Sequence, residues 1–321
     1  MPRTALYERL NRNRQRPLTL VTAPAGYGKS TLLSSWLDTL PDKETAWLSL
    51  ETYDDSPATF FTYCMAAVQT IFPHVGQRTM IVLSQPELPP PRVLLATIIS
   101  DLEMIESNFV IVLDDYHLIQ HPTIQSLMTD LLTHLPATCH LVLASRTDPH
   151  LPISRFRALN QVTEIRAHDL RFSQTEASTF IRQNVKKAVD EKLLENIYKR
   201  SEGWVTGLHL AALSIRQLED QEQLNEILQK EDRFIVDYLM SEVLIDQPKV
   251  VQEWLLKTSI LERFSLELCE AVLDIPPTGA DFNGRQFLDQ ISEQNLFIIP
   301  LDQQQIWYRY HHLFSDFLKD D

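Results

Sequence analysis

The sequence predicts an α/β domain with a parallel sheet and helices on both faces, followed by an all-helical domain and a winged-helix domain. Up to about residue 170, apolar runs of strand length alternate with amphipathic helical patterns. After Arg171 only helical patterns follow, until two strand-like pieces flank a polar turn at 302–305. The predicted domain boundaries are 1–170, 171–232 and 233–321.

Length and charge limit the classes of function. A chain of 321 residues is longer than one hydrophobic core usually supports, which predicts two or three domains. Its 43 acidic and 29 basic residues give a formal charge of −14, which disfavours binding to nucleic acid or to an anionic membrane. Small-molecule or protein partners fit this charge better.

The cysteines and the N-terminus indicate a reducing compartment. Cys64, Cys139 and Cys269 are far apart and form no metal-binding or disulfide pattern, so buried free thiols are expected. The chain begins without an apolar signal core, and no apolar run is long enough to span a bilayer. We therefore predict a cytoplasmic protein without a membrane partner.

The first predicted strand, 18–22, leads into the motif Ala-Pro-Ala-Gly-Tyr-Gly-Lys-Ser-Thr at 23–31 and then into a helix. Such a strand, turn and helix form a phosphate cradle, in which backbone N–H groups and the helix dipole favour an anion. Lys29 would reach the β- and γ-phosphates, and Ser30 would bind Mg²⁺. Ala23 stands where the strict P-loop pattern has its first glycine. The alternative is an accidental glycine-rich turn. The predicted nucleotide-binding residues of the cradle are Pro24, Ala25, Gly26, Tyr27, Gly28, Lys29, Ser30 and Thr31.

The next elements continue the alternation. Ser56-Pro57 is typical of an N-cap followed by proline at the first helical position. The residues at 109–113 are all apolar, as expected of a strand that is buried on both faces. The predicted strands are 45–50, 109–113, 140–144 and 162–165, and the predicted helices include 93–106 and 123–135.

Asp114 and Asp115 directly follow the strand at 109–113, where ligands of open parallel sheets lie. We predict that Asp114 supports Mg²⁺ beside Ser30, as a Walker-B aspartate does. Asp115 would orient or deprotonate the water that attacks the γ-phosphate. Alternatively, Asp115 only caps the following turn.

Arg146 follows the strand at 140–144, so it is expected at the same edge of the sheet. Its guanidinium would contact the γ-phosphate and stabilise the charge that develops there. It could instead be a surface cation or a structural ion-pair partner. Arg155 and Arg157, in the loop beyond, are weaker candidates for this role.

The second half begins at a capping box, Ser173-Gln-Thr-Glu176. A helix at about 190–201 stops at Gly203, and an apolar helix follows at 208–218. The polar stretch 219–232 is predicted to be a solvated connector. The predicted elements beyond it are helices at 235–245, 249–258, 266–273 and 286–294, and strand-like pieces at 296–301 and 306–309.

Helices followed by a hairpin suggest a winged helix, a fold that often binds DNA. From residue 241 to 321, however, 6 basic and 14 acidic residues give a local charge of −8. This sign is wrong for a phosphate backbone, so we expect no direct DNA binding by this segment. The final apolar stripe begins at Tyr310-His311-His312. These histidines are either packing residues or a pair that could meet a phosphate.

Together these motifs resemble the nucleotide-binding module of MalT-type signal-transduction ATPases with numerous domains, the STAND class that includes NB-ARC and NACHT switches. The resemblance covers nearly the whole sequence. Besides the motif at 23–31, it is carried by Trp-Leu-Ser-Leu at 47–50, Val-Leu-Asp-Asp-Tyr-His-Leu at 112–118, Leu-Ala-Ser-Arg at 143–146, Ser-Glu-Gly-Trp at 201–204 and Tyr-His-His-Leu-Phe-Ser-Asp-Phe-Leu at 310–318.

The resemblance implies an ADP-bound resting monomer and an ATP-bound state that self-associates, with slow ATP hydrolysis resetting the switch. It also implies that His311 contacts the β-phosphate of ADP. His312 replaces the acidic residue of the NB-ARC Met-His-Asp triplet, and Gly-Trp-Val-Thr-Gly at 203–207 lacks the proline of the Gly-Leu-Pro-Leu motif. Family members continue into a sensor that receives an inducer and often into a LuxR-type DNA-binding domain. We expect such domains to lie outside this sequence, unless the protein is unusually short.

The leading hypothesis is thus a regulatory ATPase, the nucleotide-binding module of a MalT-like transcriptional regulator. One rival is a scaffold locked with ADP, or an NLR-like defence or signalling module without useful turnover. A metabolic P-loop kinase or transferase is a weaker alternative because no acceptor site is evident.

Overall fold

A computed structural model of the protein describes residues 3–40, 44–185, 189–217, 243–245, 247–273, 282–294, 296–302 and 304–320. The chain divides into two compact units. Unit 1 contains residues 1–23 and 29–169, and unit 2 contains residues 24–28 and 170–321. The element numbers below count the helices and strands of the described residues in chain order.

Unit 1 is built on a five-stranded sheet in the order β2-β3-β4-β1-β5, with every neighbouring pair parallel. Residues of β1, β3 and β4 are buried throughout, because these central strands are covered on both faces. The predicted parallel sheet is confirmed. The strands are β1 Leu18–Thr22, β2 Thr45–Ser49, β3 Phe109–Asp114, β4 Cys139–Ser145 and β5 Val162–Arg166.

The described part of this unit contains the helices α1 Thr4–Arg12, α2 Lys29–Leu37, α3 Pro57–Gln69, α4 Gln77–Leu83, α5 Pro91–Leu102, α6 Pro122–Thr133, α7 Ile153–Ala158 and α8 Ala167–Leu170. The predicted cap of α3 is present, since Ser56 Oγ accepts a hydrogen bond from the Thr59 N–H at 3.3 Å. The helix α5 was predicted at 93–106. It starts two residues earlier, because Pro91 occupies its first helical position.

The sequence patterns did not predict the helices α1, α4, α7 and α8. In α1 only Leu6 and Leu10 are buried, which leaves an apolar stripe too narrow to stand out in the sequence. The helix α4 spans only seven residues and follows Gly76, which has a left-handed backbone and supplies no capping side chain. These helices are short and depend on packing against the sheet domain rather than on strong local signals.

Unit 2 contains the helices α9 Gln174–Asn184, α10 Glu191–Ser201, α11 Val205–Gln217, α12 Lys249–Thr258, α13 Leu266–Leu273, α14 Gly284–Glu293 and α15 His312–Asp320, and the strands β6 Ile298–Pro300 and β7 Tyr308–Tyr310. The capping box of α9 is present, with Glu176 N–H donating to Ser173 Oγ and Ser173 N–H donating to Glu176. The helix α11 begins at Val205, three residues before the predicted start.

The C-terminal helices and the hairpin form the predicted winged helix. Strands β6 and β7 are antiparallel and pair Ile298 with Tyr310. A further bridge joins Phe264 to Tyr308. Each strand has only three residues, shorter than the apolar runs that predicted them.

Some predictions fall on residues that the structure does not describe. They are the connector at 219–232, most of the helix at 235–245 and the domain boundary at 232–233. Within the described ranges, no helix is long and apolar enough to cross a membrane.

Candidate functional site

The loop Pro24–Gly28 connects β1 to α2 and has the backbone that its glycines permit. Gly26 and Gly28 have φ angles of +72° and +77°, a region that a side chain makes costly. Ala23 lies outside this region, and its N–H donates to the Ser145 carbonyl at 3.2 Å. Alanine is therefore compatible with the position where the strict P-loop pattern has glycine.

Lys29 is the first residue of α2 and only 7% exposed. Its Nζ donates a hydrogen bond to the Ala23 carbonyl at 2.8 Å, which folds the side chain back over its own loop. Burial lowers the pKa of Lys29 to about 8, with a smaller effect from Arg146, while the carboxylates of Asp115 and Asp114 act in the opposite direction. An anion bound here would favour the charged form of this lysine.

Ser30 and Asp114 meet at the ends of two different elements. The Ser30 hydroxyl hydrogen-bonds to the Asp114 carboxylate, which is buried at the end of β3. Burial raises the pKa of Asp114, and the hydrogen bond from Ser30 partly offsets that effect. A hydroxyl and a carboxylate are hard oxygen ligands that suit Mg²⁺. In the described part of the chain, no group of three or more His, Cys, Asp or Glu side chains is placed to hold a metal ion by itself, so Mg²⁺ here would need oxygens from nucleotide or water.

Asp115 differs from its neighbour. Its backbone is left-handed, with φ 56° and ψ 36°, and its N–H donates to Asp114 Oδ1 at 3.0 Å. Its side chain is 44% exposed. In the described structure this side chain makes no capping hydrogen bond to the 3₁₀ turn Tyr116–Leu118, so the alternative of a purely capping role has no support.

Arg146 follows β4, and its charge acts on both Lys29 and His117. Burial, Arg146 and Lys29 together lower the pKa of His117 to about 4, so this imidazole is neutral at pH 7. Its Nδ1 is 3.8 Å from the Asp115 carboxylate, beyond hydrogen-bond distance. Sequence reasoning assigned His117 no role, although its position two residues after the acidic pair was the available signal.

Unit 1 thus brings together five side chains that the sequence predicted to act at one site: Lys29, Ser30, Asp114, Asp115 and Arg146. Arg157 instead forms a bidentate pair with Glu164, at 2.6 and 2.9 Å. The weaker candidate is therefore occupied in a surface ion pair.

In unit 2, the start of α11 contacts the loop at 24–28. The Gly26 carbonyl accepts hydrogen bonds from the Thr206 N–H at 3.2 Å and the Thr206 hydroxyl at 2.8 Å. The Trp204 indole N–H is 3.4 Å from the Ala25 carbonyl. Sequence reasoning missed Thr206, because nothing in Gly-Trp-Val-Thr-Gly at 203–207 indicates which residue faces the loop.

His311 is 1% exposed and packs edge-to-face against the rings of Trp204 and Phe297, at centroid distances of 6.1 and 5.9 Å. Its Nε2 is 3.0 Å from the Ser201 carbonyl, which can only accept, so Nε2 carries the proton. Burial lowers the pKa of His311 to about 4. Its Nδ1 is buried and has no hydrogen-bond partner among the described residues.

Comparison with known proteins adds the family. The model of the MalT winged helix domain matches residues 240–321. The HTH-type transcriptional regulators MalT of Klebsiella pneumoniae and Yersinia enterocolitica are 32% and 31% identical to this chain over 304 residues, or 94% of it. The chain is a MalT-like P-loop protein. It spans about a third of the length of these curated relatives, 33% in both cases.

A solved structure supports the fold of this MalT-like chain. The Walker-type ATPase PABY2304 of Pyrococcus abyssi superposes with a TM-score of 0.65 over 99% of this chain and 95% of its own. Its sequence identity is 13%, so this similarity concerns the fold alone.

Proposed function

We propose that this MalT-like chain is a cytoplasmic, nucleotide-binding switch module that binds ATP and ADP with Mg²⁺. The observation that carries the proposal is the convergence of Lys29, Ser30 and Asp114 beside a loop with two left-handed glycines. A buried ammonium, backbone N–H groups and a helix start suit a polyphosphate, and the hydroxyl–carboxylate pair suits its Mg²⁺.

In this proposal the nucleotide replaces internal contacts. Lys29 would exchange the Ala23 carbonyl for β- and γ-phosphate oxygens, which restores full charge to an ammonium that burial disfavours. Ser30 would bind Mg²⁺ directly and Asp114 would support it, so that the hydroxyl and the carboxylate exchange their mutual hydrogen bond for the cation. The backbone of Pro24–Gly28 and the first turn of α2, including Thr31, would surround the phosphates.

Slow hydrolysis is assigned to Asp115 and Arg146. An exposed carboxylate beside Asp114 can accept a hydrogen bond from a water molecule aligned with the γ-phosphate. The guanidinium of Arg146 can stabilise negative charge that develops on the transferred phosphoryl group. Mg²⁺ would supply charge neutralisation when bound.

We propose that His311 stabilises the ADP-bound state by contacting the β-phosphate. Its unpartnered Nδ1 and its contact with Trp204, which reaches the loop carbonyl of Ala25, support a role near the β-phosphate. Because a phosphate oxygen accepts hydrogen bonds, Nδ1 would have to be protonated to bond it. An adjacent phosphate favours that protonation.

The output that we propose is regulated self-association in the ATP state, in response to an inducer that sensor domains outside this sequence would receive. Transcriptional regulation is the function in the names of the curated MalT relatives. We propose the same output here, without direct DNA contact by the acidic winged helix.

Sedimentation velocity tests the switch. With ADP the chain should sediment as a monomer, and with ATP and Mg²⁺ it should form a larger species that disappears as ATP is hydrolysed. A monomer under both conditions, in protein that binds both nucleotides, would contradict the switch and favour the scaffold locked with ADP.

A further inference from the structure

A chain of polar contacts within unit 2 leads from the winged-helix hairpin to the phosphate-binding loop. At the loop end, Tyr27 lies between Gly26 and Gly28 and is buried against Phe297, with ring centroids 6.2 Å apart. Its phenol oxygen accepts a hydrogen bond from the Arg171 guanidinium. Because Arg171 lies outside the loop, this hydrogen bond helps to fix the Tyr27 side chain and, through it, the loop backbone.

At the other end, Glu202 joins Arg171 to the hairpin. Both of its carboxylate oxygens accept hydrogen bonds from Arg309 of β7, at 2.8 and 2.7 Å. Arg171 Nη1 lies 3.8 Å from the same carboxylate, outside hydrogen-bond distance but close enough for strong attraction. The backbone N–H of His312 donates to it at 3.2 Å. One carboxylate therefore lies between two guanidinium groups from different elements.

Glu202 is ionised over the physiological range. Burial raises its pKa, but the hydrogen bonds from Arg309 and from the His312 N–H outweigh burial and hold the pKa at about 2. If Arg309 moved away, a buried carboxylate would lose its bidentate partner at a substantial cost. Arg171 is the cation best placed to replace it.

We infer that Glu202 is a positioning residue that couples the winged-helix hairpin to the phosphate-binding loop through Arg171 and Tyr27. With Arg309 in place, Glu202 leaves Arg171 available to the Tyr27 hydroxyl. When Arg309 withdraws, Arg171 closes on Glu202 and Tyr27 loses its hydrogen-bond donor. The loop backbone between the two glycines then loses an anchor. This inference rests on the proposed function, because it concerns nucleotide held by that loop.

The coupling is reciprocal. If the position of the hairpin changes nucleotide affinity, nucleotide must change the stability of the hairpin contact by the same factor. The alternative is that Glu202 and Arg309 form a local ion pair without effect on the loop. The chain offers a matched control in the ion pair Arg200–Asp316, which joins α10 to α15 at 3.2 Å.

Dissociation of a fluorescent ADP analogue, followed by stopped flow, tests the coupling in a double-mutant cycle. Arg309→Ala and Tyr27→Phe should each release ADP about tenfold faster, the effect of losing one hydrogen bond to a charged group. Because both variants break the same chain of contacts, the double variant should release ADP no faster than the faster single variant. Asp316→Asn should stay within about twofold of wild type.

Arg309→Lys gives a second approach that keeps the charge of the hairpin and removes its bidentate geometry. It should show the same non-additivity with Tyr27→Phe. If Arg309→Lys only damaged the fold, it would lower the unfolding temperature of the protein. Its effect on ADP release would then be the same with and without Tyr27→Phe. The inference would be overturned, and the proposed function left intact, by wild-type release rates in Arg309→Ala or Arg309→Lys or by additive effects in either cycle. It would also be overturned if adding Glu202→Gln to Arg309→Ala failed to restore slow release, because Glu202→Gln removes the carboxylate that draws Arg171 away. Failure of the wild-type chain to bind the ADP analogue would instead overturn the proposed function, and this inference with it.

Discussion

Asp114 and Asp115 are adjacent in the sequence, but they differ in burial and partners. Asp114 is buried and bonded to the Ser30 hydroxyl, whereas the Asp115 side chain is 44% exposed on a left-handed backbone. This contrast supports the proposed division of roles, in which Asp114 supports the metal ion and Asp115 activates water.

Replacing each carboxylate by an amide separates these roles. Asp115→Asn should bind ATP and Mg²⁺ but hydrolyse ATP roughly 100-fold more slowly, because an amide cannot take a proton. Asp114→Asn should mainly raise the Mg²⁺ concentration needed for half-maximal turnover, by about tenfold. Phosphate release measured over a Mg²⁺ titration distinguishes the two, with Asp130→Asn, which changes an exposed carboxylate of α6, as control. Turnover in Asp115→Asn equal to wild type would remove Asp115 from catalysis.

The turn between α10 and α11 depends on the glycine at position 203. Gly203 has φ +75°, and an added Cβ would meet the Phe172 carbonyl oxygen at 2.2 Å and the Phe172 nitrogen at 3.0 Å. Both neighbours are backbone atoms, and the Phe172 N–H donates to the Gly203 carbonyl at 2.9 Å. Little can move there to accommodate a methyl group.

Gly203→Ala should therefore destabilise unit 2 by more than about 2 kcal/mol, the sum of a left-handed alanine and a backbone clash. Gly76→Ala is the matched control, since Gly76 has φ +81° but its added Cβ would clash with the flexible end of the Met65 side chain and not with backbone atoms. Hydrogen exchange measured by mass spectrometry should show lost protection at 170–217 in Gly203→Ala, and a smaller local effect around Gly76 in the control. Equal losses of protection in the two variants would contradict this explanation.

Helices and strands were predictable where the local sequence carries a strong pattern. The sheet was predictable because its strands are buried apolar runs, and the phosphate loop because its chemistry lies in nine consecutive residues. The role of Thr206 and the contacts of Glu202 were not predictable. Their partners, Gly26 and Arg309, lie 180 and 107 positions away. Only the tertiary fold determines such pairs.

For the molecule as a whole, His311 connects the proposed ADP-bound state to pH. Glu202, Arg171 and Arg309 are the charged groups that act on this buried imidazole, and its pKa is about 4 without ligand. A phosphate at Nδ1 would raise that pKa, so ADP binding would take up a proton. Because ADP binding would take up this proton, the affinity for ADP should increase as the pH falls from about 8 towards the pKa of His311 in the unliganded protein.

The dissociation constant of ADP should therefore decrease between pH 8 and pH 6 more steeply in wild type than in His311→Ala. The comparison cancels the titration of ADP itself, which is common to both proteins. His311→Ala should also release ADP faster and self-associate more readily with ATP. Identical pH profiles and release rates would make His311 a packing residue only.

The proposed phosphate site depends most on Lys29. Titration calorimetry with ADP, and with ATP and Mg²⁺, tests its role directly in wild type, in Lys29→Ala and in Arg92→Ala, an exposed cation of α5 that serves as control. Removing Lys29 deletes charge-assisted hydrogen bonds worth roughly 1.5–3 kcal/mol each, so affinity for both nucleotides should fall by about 100-fold or more. Arg92→Ala should bind as wild type does. Unchanged nucleotide affinity in Lys29→Ala would contradict the assignment of this loop as the phosphate site.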